Sequence, residues 1–131
     1  MSTPLFKKLN YKNQREVWVI NAPKSFKNEL DLIQDFTVVK EGFPGPSDKP
    51  GFVLAFAAMR KELDEISIAL MPVLPDNVVL WFAYPKQTSK KYKCDYNRDK
   101  GWDVLTINGY GGVRMISIDD DWSALRFKKQ D

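Results

Sequence analysis

The chain has 131 residues, 44% hydrophobic and 28% charged, with a formal net charge of +3, the composition of an ordinary globular domain able to bury roughly two-thirds of its unfolded surface. It contains no histidine and a single cysteine, Cys94. A Ser-His-Asp or Cys-His nucleophile therefore lacks its base, imidazole-rich zinc sites lack their ligands, and no intrachain disulfide can form.

An acid–base enzyme made from this chain is restricted to Asp, Glu, Lys, Tyr or Cys. The lone cysteine, the polar and basic first residues and the lack of any apolar run near ~18 residues predict a cytoplasmic protein without a membrane span. One domain, residues 1–131, is expected.

In chain order, Pro4 to Leu9 can make a short amphipathic turn with Leu5 and Leu9 on one side. Val17-Trp18-Val19-Ile20 reads as a buried strand, stopped by Asn21-Ala22-Pro23. Ser25 is placed to cap a helix whose apolar face is Phe26, Leu30 and Ile33, at i, i+4 and i+7. Phe36 to Val39 reads as a second strand. Glu41 to Gly51, with three prolines and three glycines, is a loop.

Phe52 to Ala57 is a third apolar strand. Arg60 to Leu74 has the clearest helical period: Leu63, Ile66, Leu70 and Val73 share a face, Arg60/Asp64 and Lys61/Glu65 pair on the outside, and Pro72 and Pro75 end it. The centre of the fold is Val78 to Lys86, an apolar run closed by Pro85, as expected of a strand covered on both faces. Asn97 or Asp99 is expected to cap a last helix through about Asn108, with Gly109 as its left-handed terminator. Val113 to Ile118, the acidic turn Asp119–Asp121 and Trp122 to Phe127 form a hairpin, the last segment an edge strand.

This alternation predicts a three-layer Rossmann-like α/β sheet of about six strands, mostly parallel, with a C-terminal antiparallel hairpin. Ligands in such sheets sit beyond the carboxyl ends of the strands, near the point where strand order reverses. The segment Lys86 to Lys100 carries six basic residues against Asp95 and Asp99, so the excess positive charge is local. Lys86, Thr88, Ser89, Lys90 and Lys91 offer ammonium and hydroxyl donors at a strand's carboxyl end, with Arg98 assisting and Asn21 on the opposite wall. Tyr92 and Tyr96 offer faces on which a base could stack. The alternative is a solvated basic loop.

A dinucleotide or S-adenosylmethionine (SAM) site normally has glycines straight after the first strand. Here the turn is Asn21-Ala22-Pro23-Lys24, and Pro23 has no amide proton to offer an anion. That argues against a cofactor, SAM included. Glu41 lies where a ribose-binding carboxylate would lie, or is simply a loop acid. The basic neighbours of Cys94 could lower its pKa. Asp95, Asp99 and Asp119–Asp121 match no calcium loop, so a hairpin cap is expected there and no metal.

Trp18-Val19-Ile20-Asn21-Ala22-Pro23, Leu80 through Lys91, Arg98-Asp99-Lys100-Gly101-Trp102 and Asp119 through Phe127 together resemble a bacterial family of small single-domain proteins of uncharacterised function. The resemblance spans nearly the whole chain. It implies a shortened, methyltransferase-like Rossmann fold without the glycine-rich loop, and it carries no activity.

The leading expectation is a non-catalytic domain that binds an anionic small molecule or partner at the carboxyl edge of its sheet. The alternatives are a divergent SAM-dependent methyltransferase using Glu41 and the Asn21–Pro23 turn, and a weak nucleic-acid binder, the latter disfavoured because the charge is modest.

Overall fold

The computed structural model describes residues 3–130. Its elements are α1 (Pro4–Lys8), β1 (Glu16–Ile20), α2 (Lys27–Ile33), β2 (Val38–Glu41), β3 (Phe52–Phe56), α3 (Arg60–Leu70), β4 (Val79–Pro85), α4 (Asp103–Ile107), β5 (Tyr110–Ser117) and β6 (Trp122–Lys129). The six strands form one sheet in the order β2-β1-β3-β4-β6-β5. β2, β1, β3 and β4 run parallel, and β6 is antiparallel to both its neighbours. This is the mostly parallel α/β sheet with a C-terminal antiparallel hairpin that the alternating pattern predicts.

Alternation along the strands sorts the core into two layers. Val17, Val19, Phe52, Leu54, Phe56 and Trp81 pack with Phe6 and Leu9 at α1 and with Leu30 and Ile33 of α2. Val53, Ala55, Leu80 and Phe82 pack on the other face with Leu63, Ile66 and Leu70 of α3 and Leu105 of α4. β3 and β4 are buried at every residue, which is why their sequences lack polar alternation. Among the described residues no helix is long and apolar enough to cross a membrane.

Several sequence expectations are corrected. Phe36 does not begin a strand. Its amide and that of Thr37 donate to the Ile33 carbonyl and close α2, while its ring packs 5.8 Å from that of Tyr11. β2 therefore starts at Val38 and is a mostly exposed edge. Ser25 lies in a short 3-10 turn, Lys24–Phe26, and caps nothing. Phe6, not Leu5, joins Leu9 as the fully buried side chain of the first turn.

α3 stops at Leu70, just ahead of Pro72, whose missing amide and bulky ring oppose continuation. The last helix is only Asp103–Ile107, because residues 97–101 are spent in a turn. There Asn97 Oδ1 accepts from the amides of Asp99 and Lys100. Trp122 to Lys129 is not an edge strand: it inserts between β4 and β5, leaving β5 at the edge.

Candidate functional site at the carboxyl edge of the sheet

β1 connects through α2 to β2 on one side, while β3 lies on its other side, so strand order reverses at the carboxyl ends of β1 and β3. Asn21, the first residue past β1, has φ 60°, a left-handed conformation that asparagine tolerates better than most residues. The turn that glycine usually makes is thus made here by asparagine. Its Nδ2 donates to the Phe56 carbonyl at 3.0 Å and to Glu62 Oε2 at 2.9 Å, tying β1 to β3 and α3. Glu62 Oε1 also accepts from the Met59 amide, and Asp95 Oδ1 accepts from the Arg60 amide at 2.6 Å. Two of the free amides at the start of α3 are thereby satisfied by side chains.

Two small cavities flank this turn, lined by consecutive residues of the same two loops. One, about 300 Å³, is bordered by Asn21, Gly42, Phe43, Glu62 and Glu65. The other, about 200 Å³, is bordered by Ala22, Pro23, Lys27, Asp31 and Glu41. Glu41 is exposed and has no hydrogen-bond or ion-pair partner among the described residues. Phe43 is 51% exposed, a solvent-facing aromatic two residues from that carboxylate.

A separate cavity of about 380 Å³ opens at the carboxyl end of β4, bordered by Tyr84, Lys86, Thr88, Tyr96, Asn97 and Arg98. Three of the residues singled out from the sequence, Lys86, Thr88 and Arg98, therefore meet. Lys86 Nζ donates to Ser117 Oγ at 2.6 Å, which fixes its ammonium near the mouth.

The other expected residues lie elsewhere. Ser89 Oγ donates to Asp121 Oδ1 and accepts from the Lys91 and Tyr92 amides, so it is consumed by the turn. Lys91 reaches Asp121 only at 4.0 Å, and Lys90 is exposed and borders none of these cavities. Asn21 lines the 300 Å³ cavity and is not an opposite wall to Lys86. Of the two tyrosines, half-buried Tyr92 packs on Trp122 at 4.9 Å, and buried Tyr96 packs against Tyr84 and Trp102, which leaves its ring no free face for a base.

The Tyr96 hydroxyl donates to the Ala57 carbonyl, anchoring residues 94–97 over the end of β3. Burial raises the pKa of Tyr96 well above its ordinary 10.0, and Cys94, Glu62, Tyr84 and Asp95 add to the rise. Tyr84 is also raised, chiefly by burial, with Arg98 opposing. Cys94 is raised rather than lowered: burial outweighs the lowering effect of the Tyr96 backbone, and the charge of Asp95 adds to the rise; the thiol itself donates to the Tyr96 carbonyl. It is a poor nucleophile at neutral pH. The acids of the hairpin serve the turn, since Asp119 Oδ1 accepts from the Asp121 and Trp122 amides.

The raised tyrosines make a pH prediction. Below about pH 10 both folded and unfolded tyrosines hold their protons, and the contribution is complete. Above it the unfolded chain ionises first, so stability falls as pH rises. Urea unfolding at about pH 9 and about pH 11 should give a smaller fall for Tyr96→Phe than for wild type. An equal fall in both would mean that Tyr96 is not the group held protonated.

The strand order, the reversal at β1/β3 and the inserted antiparallel β6 define a methyltransferase-like Rossmann fold. Comparison with solved structures agrees. The chain is similar to a protein classed as a type 11 methyltransferase from Sulfolobus solfataricus, with TM-score 0.57 and 7% identity, covering 90% of this chain and 86% of that one. It is similar to the M1A22 tRNA methyltransferase TrmK of B. subtilis (TM-score 0.57, 10% identity, 100% of this chain, 67% of that). It is also similar to LepI in complex with SAM (TM-score 0.56, 11% identity), covering 98% of this chain and 47% of that longer one. At these identities the likeness is one of fold. No protein-family profile and no curated protein sequence matches the chain.

Proposed function

We propose that this chain is a divergent SAM-dependent methyltransferase that binds its nucleoside ligand, SAM or the demethylated product SAH, at the β1/β3 switch point. The observation carrying this reading is Glu41: an unpartnered carboxylate on the last residue of β2, beside the left-handed Asn21 turn and the exposed ring of Phe43. Two carboxylate oxygens suit the paired hydroxyls of a ribose, and an aromatic face suits an adenine.

The residues present fit the nucleoside half of such a ligand. The amino-acid half gains no amide from Pro23 and meets Asn21 and Glu62, already bonded to each other. SAM, when bound, supplies an electrophilic methyl group. The role of the chain beyond holding it is to orient an acceptor: Lys86 and Arg98 would hold an anionic group of that acceptor in the 380 Å³ cavity, with Thr88 donating. Tyr84 also borders this cavity, its hydroxyl donating to Met115 Sδ at 3.2 Å. The structures named as holding SAM or SAH, those of LepI and PigF, support the choice of ligand.

The second reading, a non-catalytic anion-binding domain, is favoured by the meeting of Lys86, Thr88 and Arg98 in one cavity. Calorimetry separates the two. SAH should bind wild type, and Glu41→Ala should weaken it roughly 10- to 100-fold, the loss of a charged hydrogen-bond pair worth about 1.5–3 kcal/mol. No heat from SAH at millimolar concentration, together with a phosphate signal lost in Lys86→Ala, would establish the second reading instead.

A further inference from the structure

β5 and β6 pair antiparallel, and in their register Arg114 stands directly opposite Arg126. On its other side Arg126 is paired with Trp81, a fully buried residue of β4. Like charges directly opposite on neighbouring strands repel, whereas an opposite-charge pair there would stabilise. Neither arginine has an ion-pair or hydrogen-bond partner among the described residues. Arg126 Nε is, moreover, buried without an acceptor, although a buried charged donor is ordinarily paired.

Burial, and then the charge of Arg114, pull the Arg126 pKa below its ordinary value. The pair is therefore costly to the fold as it stands, and an anion between the two groups would offset that cost. Two guanidinium groups from adjacent strands present planar forks that match a tetrahedral oxyanion better than a lone carboxylate does. At the end of β5, Ser117 holds two further cations, Lys8 Nζ on its carbonyl at 3.0 Å and Lys86 Nζ on its hydroxyl at 2.6 Å.

We propose that Arg114 and Arg126 form a phosphate-binding site on the β5–β6 hairpin, distinct from the cavity at Lys86. The bound group bridges the two guanidiniums, supplies the acceptor that Arg126 Nε lacks and relieves their repulsion. The site lies on the hairpin that closes the sheet beyond β4, so it would hold a phosphate of a molecule that also reaches the carboxyl edge, or a free phosphate.

The test is thermal unfolding of the full chain carrying Lys86→Ala, which silences the cavity at the end of β4. In chloride buffer, adding Arg114→Gln should raise the melting temperature, because it removes a repulsion from an exposed edge residue without touching the core. Inorganic phosphate should raise the melting temperature of the Lys86→Ala protein and have little effect once Arg114→Gln or Arg126→Gln is added. A lower melting temperature for Arg114→Gln in chloride, or an equal phosphate response with and without the arginines, would overturn the proposal. A short RNA oligonucleotide giving a larger, arginine-dependent shift than phosphate at equal phosphate concentration would identify the source as a nucleic-acid backbone. No extra shift would identify a free or small-molecule phosphate.

Discussion

Trp81→Ala is expected to cost about 3–5 kcal/mol, a large part of the roughly 5–15 kcal/mol that holds a typical domain folded. Trp81 is 0% exposed, lies on β4 at the middle of the sheet and packs on the layer that carries α1. Its Nε1 donates to the Leu9 carbonyl at 2.7 Å. Removing the indole opens a large cavity and also orphans that carbonyl. The five residues of α1 cannot hold a helix alone, since so short a segment does not repay its nucleation. Their docking rests on Phe6, Leu9 and this indole. Urea denaturation measures the effect, and limited proteolysis should find the segment before β1 newly accessible. A loss below about 1 kcal/mol would mean that the centre of the sheet is not packed as described.

Gly101→Ala is expected to cost about 2–3 kcal/mol, far more than an ordinary glycine replacement in a loop. Gly101 has φ +110°, and a Cβ there would lie 2.7 Å from Tyr96 Cβ. Tyr96 is itself fixed by its hydroxyl on the Ala57 carbonyl, so the clash has no cheap escape. Gly109 provides the control: its φ is +88°, but the nearest atom to an added Cβ is 3.9 Å away. Gly109→Ala should therefore show only the backbone cost, about 1–2 kcal/mol. Equal losses in the two variants would argue that the Tyr96 contact is not rigid. Because Gly101 follows the turn bearing Arg98, its replacement should also weaken anion binding at the end of β4.

Much of this architecture is legible in the residues. Val78 to Lys86 reads as a doubly covered strand because an uninterrupted apolar run at that length has no other good solution in a helix–strand alternation. Leu63, Ile66 and Leu70 announce α3 by their spacing. Residues 97–108 mislead because good capping residues precede Trp102 and Leu105. In the structure Asn97 folds its side chain back onto Asp99 and Lys100, and the Trp102 indole donates to the Asn97 carbonyl.

The site was half legible. Lys86, Thr88 and Arg98 meet because a turn of tight hydrogen bonds brings residue 98 back to the end of β4. Ser89 looks just as suitable in sequence, yet Asp121 claims it. Arg114 and Arg126 carry no local signal at all, since their juxtaposition depends on a bulge in β5 between Gly112 and Arg114 that sets the register.

By itself the sequence determined which segments must be buried on two faces, which helix faces turn inward, and which catalytic chemistries lack their groups. Those follow from apolar periodicity and from composition, properties each segment carries alone. Only the tertiary structure decided that β6 lies inside β5, that Asn21 supplies the left-handed turn, and which of the many lysines and arginines share a cavity. These depend on register and on competition for hydrogen-bond partners between residues far apart in the chain, and neither is written in any single segment.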